Sequence, residues 1–195
     1  SEYERAARCI KSKINFLRLK EKLGFKLQGT KINQADILFL CNPNNPTGNL
    51  ILTDYRIIEK LPIKLVVIDE AFMDFLPDEK KHTLIWKAQK NKRIIVLRTF
   101  TKFFALAGLR IGYLVAHQSI VNKLRQYKIP WSVNSLAQIA GERVLKDSYY
   151  FKATHLIIKK ERNFLSAQLK KIKGLKIYPS VTNFLLLKIE RDKIS

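Results

Sequence analysis

The chain has 195 residues, 47% of them hydrophobic and 27% charged, enough for one sizeable core or for one domain and part of a second. No apolar run approaches the roughly 20 residues that a membrane-spanning helix needs, and the polar, charged opening Ser1–Arg8 reads as neither a signal nor a transit peptide. The net charge of +21 is scattered in short groups such as Lys11–Lys13, Lys80–Lys81 and Lys170–Lys173, which argues for a solvated basic face that attracts small anions and against a nucleic-acid-binding tract.

Ser1 to about Cys9 reads as a helix end and Ile14–Leu19 as a short strand. The run Asp36–Leu40 stops at a turn rich in Pro, Asn and Gly, Cys41–Gly48. Thr53 is placed to cap a helix over Asp54–Lys60. Leu65–Ile68 is a buried strand that ends at Asp69 and Glu70, and a helix-like stretch follows near Thr83–Lys90. Strands follow at Arg93–Leu97 and Ile111–Val115, then helices at Ser119–Tyr127, Ser132–Leu145 and, longest, Ser148–Ile172. Phe184–Leu187 reads as a strand again.

Short apolar runs alternating with helices predict an α/β fold with a mainly parallel sheet. The long helix after Asp147 is predicted to link part of a large domain, residues 1–146, to the start of a smaller one, residues 147–195. The chain has no Met at position 1 and stops at Ser195 inside a region that reads as folded, so a piece of a longer protein is expected. Cys9 and Cys41 are far apart in sequence and fit free thiols in a reducing compartment such as the cytoplasm. His82, His117 and His155 have no metal-ligand spacing and read as solvated or packed histidines.

Functional residues of such sheets gather beyond the carboxyl ends of the strands. Three polar clusters directly follow apolar strands: Asn42–Gly48, Asp69–Glu70 and Thr99–Lys102. A lysine in that position can be partly desolvated, which frees its amine for Schiff-base chemistry; alone, Lys102 would be read as one surface lysine among many. Arg110 lies between Gly108 and Gly112, where a guanidinium suits a phosphate ester with the hydroxyls of Thr99 and Thr101 as further ligands; alone, it would be read as a salt-bridge partner. Asp69 closes a buried strand, and a buried carboxylate must be paired: a protonated pyridinium nitrogen is one partner, a helix cap or a salt bridge the alternative. Asn45 sits in a turn that two prolines and Gly48 make rigid, where its amide can reach the crevice.

Taken together, Asn42-Pro-Asn-Asn-Pro-Thr-Gly48, Asp69-Glu-Ala-Phe72, Thr99-Phe-Thr-Lys102 and Ala107-Gly-Leu-Arg-Ile-Gly-Tyr113 resemble, in order and spacing, fold-type-I pyridoxal-phosphate enzymes of the class that contains histidinol-phosphate aminotransferase. The resemblance runs over the whole chain. It implies a three-layer αβα fold and a homodimer. It further implies that Lys102 carries the cofactor as a Schiff base and moves protons, that Asp69 holds the pyridine nitrogen, that Asn45 bonds the ring's 3-oxygen, and that Arg110, Thr99 and Thr101 bind the phosphate.

Within that class, Asp69–Pro77 and Ile129–Ala137 look like the threonine-phosphate decarboxylase branch of cobalamin synthesis. That branch implies L-threonine O-3-phosphate, a small anionic amino-acid phosphate, as the substrate, with Asn134 and Asn183 near it. Transaminating members commonly carry tyrosine where Phe72 stands. Pro130–Asn134 is expected to line the mouth of the site, unless Trp131 simply packs at a helix start. The family's upstream phosphate-binding and ring-stacking residues and its downstream carboxylate-binding arginine would fall outside residues 1–195. The other readings are an aminotransferase and an inactive or basic binding protein on the same scaffold.

Overall fold

A computed structural model describes residues 2–190. Four strands form one sheet in the order β1 (Ala35–Cys41), β2 (Ile63–Asp69), β3 (Ile94–Thr99) and β4 (Gly112–Ala116). The first three are parallel, and β4 runs antiparallel to β3. This is the α/β, mainly parallel arrangement expected from the apolar runs. Cys41 pairs with Asp69, and Asp69 with Leu97, so the parallel strands finish level with one another.

Side chains alternate across a strand, which sorts the sheet into two faces. On one face Leu40, Val66, Ile68, Ile94 and Val96 are buried. They pack with Ile58 of the short helix α2 (Arg56–Glu59) and Ala88 of α3 (Ile85–Ala88). On the other face Val67, Ile95 and Ala116 are buried under Ile120 and Val121 of α4 (Gln118–Arg125). Helices therefore cover both faces, giving three layers. Each fully buried Val, Leu or Ile contributes about 1.5–3 kcal/mol to holding them together.

Beyond the strand ends lies an aromatic cluster of Phe72, Phe75, Phe100, Phe103 and Phe104. Tyr150, Phe151 and Ile158 of the long helix α6 (Ser148–Leu169) close it. Before that helix come α1 (Glu2–Cys9) and α5 (Ser135–Val144). After it, β5 (Leu175–Ile177) and β6 (Leu187–Ile189) form a separate antiparallel pair. Lys176 and Lys188, one from each strand, bind the Glu21 carboxylate at 2.6 and 3.1 Å.

Several boundaries differ from the sequence expectation. Residues 14–19 are irregular: no described strand offers them a ladder, although Leu17 and Leu19 still pack against the core. Thr53 caps nothing; the first turn of α2 is held by Asp54, whose carboxylate accepts the Arg56 N–H at 3.0 Å. The stretch at Thr83–Lys90 is helical only over Ile85–Ala88, and the Leu84 N–H before it donates to the Glu70 carboxylate at 2.7 Å. Phe184 does not join a strand; it packs edge-on against Phe72 with ring centroids 5.0 Å apart. Among the described residues, no helix is long and apolar enough to cross a membrane.

Candidate active site

Alternation explains the pair Asp69-Glu70. Asp69 faces the same side of the sheet as its register partners Cys41 and Leu97, and Glu70 therefore faces the opposite, core side. A fully buried carboxylate needs a cation, and Arg98 supplies it by the same alternation on β3. The Arg98 guanidinium donates to Glu70 at 2.9 Å, Asp74 at 2.7 Å and Glu79 at 2.8 Å. Thr83 adds a hydrogen bond to Glu70 at 2.7 Å. Burial works against the Arg98 charge, but the surrounding carboxylates outweigh it and raise its pKa. Burial raises the pKa of both Glu70 and Asp74 despite the guanidinium. This network ties the end of β2 to the end of β3, directly behind Asp69 and Thr99.

On the open side, Thr99 and Thr101 bring their hydroxyls within 2.9 Å of each other. The Thr101 N–H donates to the Thr99 hydroxyl at 3.1 Å, so the turn into Lys102 is fixed. The Phe100 N–H donates to Ile111 O at 3.2 Å, which brings the Arg110 turn alongside. Gly112 permits this closeness, since a Cβ there would lie 2.8 Å from Arg98 O. Arg110 takes a left-handed φ of 53° and donates to Ala107 O at 2.9 Å, and its guanidinium is otherwise exposed. Lys102 is exposed, so the desolvation expected of it is not supplied by these residues; its ammonium lies 5.9 Å over the Phe72 ring.

Asn45 is exposed on the turn that leaves β1. That turn is tied by Asn44 Nδ2 donating to Thr47 Oγ1 at 2.8 Å and by the Gly48 N–H donating to Asn44 O at 2.7 Å. Gly48 has φ 70°, and a Cβ on it would lie 2.3 Å from Ser180 Oγ. The Val181 N–H donates to Gly48 O at 2.8 Å. The segment leading to Asn183 is therefore seated on the Asn45 turn. Gly48→Ala is expected to destabilise the chain by about 1–3 kcal/mol through its left-handed φ and this contact. Denaturant titration should show part of that loss returned in a Ser180→Gly background, where the obstructing side chain is gone.

Asn45, Asp69, Thr99, Thr101 and Lys102 lie at or just beyond the level ends of β1, β2 and β3, and Arg110 lies in the turn before β4; Thr99 and Thr101 are in direct contact. Asn134 caps α5, accepting the Ala137 N–H at 2.8 Å, and its amide donates to Leu109 O at 3.4 Å, beside Arg110. Asn183 lines a separate cavity of about 300 Å³ with Arg162 and Phe184. Trp131 does not pack at the start of α5; it is 97% exposed with φ 54°. Sequence reading gave no role to Glu70, Arg98 or Tyr3, whose hydroxyl donates to Asp69 Oδ2. Strand alternation around Asp69 was the available signal for the first two.

The family model for aminotransferase class I and II matches residues 1–193. The chain belongs to this family. A threonine-phosphate decarboxylase of Salmonella typhimurium is 36% identical over 100% of this chain and 55% of its own length. A histidinol-phosphate aminotransferase of Thermoanaerobacter pseudethanolicus is 42% identical over 80% of this chain and 44% of its own. The crystal structure of the histidinol-phosphate aminotransferase from Clostridium acetobutylicum superimposes with a TM-score of 0.83 at 29% identity, covering 98% of this chain and 59% of that one. The chain thus spans about half the length of the relatives it matches.

Enzymes of this family use pyridoxal phosphate. The donor types fit that cofactor: the Thr99–Thr101 hydroxyl pair and the exposed Arg110 guanidinium suit a phosphate, the Asp69 carboxylate at a strand end suits a ring nitrogen, and the exposed Lys102 supplies an amine.

Proposed function

We propose that this chain carries the cofactor half of a pyridoxal-phosphate-dependent threonine-phosphate decarboxylase. Bound at Lys102, the cofactor supplies an electron sink for the bond broken at the substrate's Cα. Asp69 holds the ring nitrogen, Asn45 the 3-oxygen, and Thr99, Thr101 and Arg110 the phosphate. In L-threonine O-3-phosphate the bond from Cα to the carboxylate breaks, and carbon dioxide leaves. A proton delivered by Lys102 Nζ takes the vacated position, giving (R)-1-amino-2-propanol O-2-phosphate. Asn134 and Asn183 flank the substrate, and the basic surface draws in a doubly anionic one. Residues 147–195 are read as the linking helix and the start of a second domain, with residues 191–195 outside the described residues. A homodimer in the cytoplasm, serving cobalamin synthesis, completes the reading.

The observation that carries the choice of reaction is Phe72. A ring without a hydroxyl lies under the Lys102 ammonium, where transaminating members commonly have tyrosine. The 42% identity to a histidinol-phosphate aminotransferase favours amino transfer as the second reading. Incubating the full-length protein with L-threonine O-3-phosphate separates them. Stoichiometric carbon dioxide release without a 2-oxo acid supports decarboxylation. Turnover of histidinol phosphate only when a 2-oxo acid is added supports the alternative and sinks the first.

A further inference from the structure

Asp69 has two hydrogen-bond donors. The Ala71 N–H donates to Oδ1 at 2.9 Å, a local contact of the turn after β2. The donor to Oδ2 is the Tyr3 hydroxyl, from α1, 66 residues earlier in the chain. The Tyr3 ring is stacked on Phe39 of β1, with centroids 5.0 Å apart and planes 12° from parallel. Phe39 pairs in register with Val67, and Cys41 with Asp69, so Phe39 and Asp69 lie on the same face of the sheet, with Tyr3 packed across it. Burial, and then Asp69 itself, push the Tyr3 phenol far above its ordinary range, so it stays protonated and donating. The stack fixes the ring, and the ring aims the hydroxyl.

A carboxylate has about four lone-pair sites on its two oxygens. With one donor on each oxygen, the group cannot rotate freely and keeps about two lone-pair sites, enough to accept the ring N–H. We infer that Tyr3 is a positioning residue acting through Asp69: its hydroxyl fixes the carboxylate and draws off part of its charge, so that the proton shared between Asp69 and the cofactor's ring nitrogen stays on the nitrogen. This rests on the cofactor reading above. A protonated ring nitrogen is what makes the ring a strong electron sink, so Tyr3 sets the strength of that sink without touching the cofactor.

The test uses the full chain loaded with pyridoxal phosphate carrying isotope-labelled ring nitrogen, observed by nitrogen NMR. Tyr3→Phe keeps the stack on Phe39 and removes only the hydroxyl. Its nitrogen resonance is expected to move toward that of an unprotonated pyridine, because the carboxylate then competes harder for the proton. Replacing Tyr3 with fluorotyrosine, a stronger donor of the same shape, is expected to move the resonance the opposite way. If the wild-type chain takes up cofactor and neither substitution moves the resonance, Tyr3 is only a packing residue and the inference falls. If the wild-type full chain takes up no cofactor, the cofactor reading falls and takes the Tyr3 inference with it.

Discussion

Replacing Lys102 with alanine is expected to lower turnover by about 10²–10⁴-fold, the range spanned by the loss of a positioned acid–base group. The expectation follows from where the lysine stands. The Thr99–Lys102 turn is fixed by the Thr99–Thr101 hydroxyl pair at 2.9 Å, and the aromatic cluster below it is held by ring-on-ring packing, with Lys102 touching it only at the Phe72 face. The substitution should therefore leave the fold intact. Circular dichroism and the denaturation midpoint are expected to match the wild type while carbon dioxide release is lost. A variant that unfolds would place Lys102 in the structure, not in the chemistry.

Arg98→Met should have the largest effect on stability. The guanidinium is buried and faces the carboxylates of Glu70, Asp74 and Glu79. Removing it leaves buried negative charge without a partner, which costs about 3–5 kcal/mol. The pH dependence has a definite sign. Glu70 and Asp74 already have raised pKa values, with burial the largest cause, and losing Arg98 raises them further. An acid whose folded pKa is raised costs stability above that pKa, and the cost fades as pH falls through it toward the unfolded value. The deficit of Arg98→Met should therefore be greatest at neutral to alkaline pH and shrink on acidification toward the ordinary carboxylate range. Urea titrations across that range measure it; a deficit independent of pH would mean that lost packing, not unpaired charge, is the cause.

The sheet was legible because its strands are short apolar runs that stop at polar clusters, and those clusters follow the level ends of the parallel strands. Asp69 and Lys102 stand out by their places after apolar strands, but it is the neighbouring motifs that separate Lys102 from the chain's many other lysines. Glu70 and Arg98 were within reach of the same reasoning, since a residue next to Asp69 on a strand must face the core. Tyr3 was not: its contact with Asp69 spans 66 residues and depends on its ring stacking on Phe39, which no local pattern encodes. Ile14–Leu19 has a strand-like composition but finds no described partner, and pairing, not propensity, makes a strand. Phe184 was read as a strand residue because apolar runs look alike whether they pair or pack; its place against Phe72 is set by the aromatic cluster. Lys102 shows the limit for chemistry: sequence marks the residue, while its surroundings on this chain leave it exposed.

The most direct test of the central claim is to add pyridoxal phosphate to the full-length protein, reduce with borohydride, digest and map the labelled peptide. Label on the peptide containing Lys102 is the expected result. No label, or label on another of the chain's lysines, would contradict the cofactor site described above.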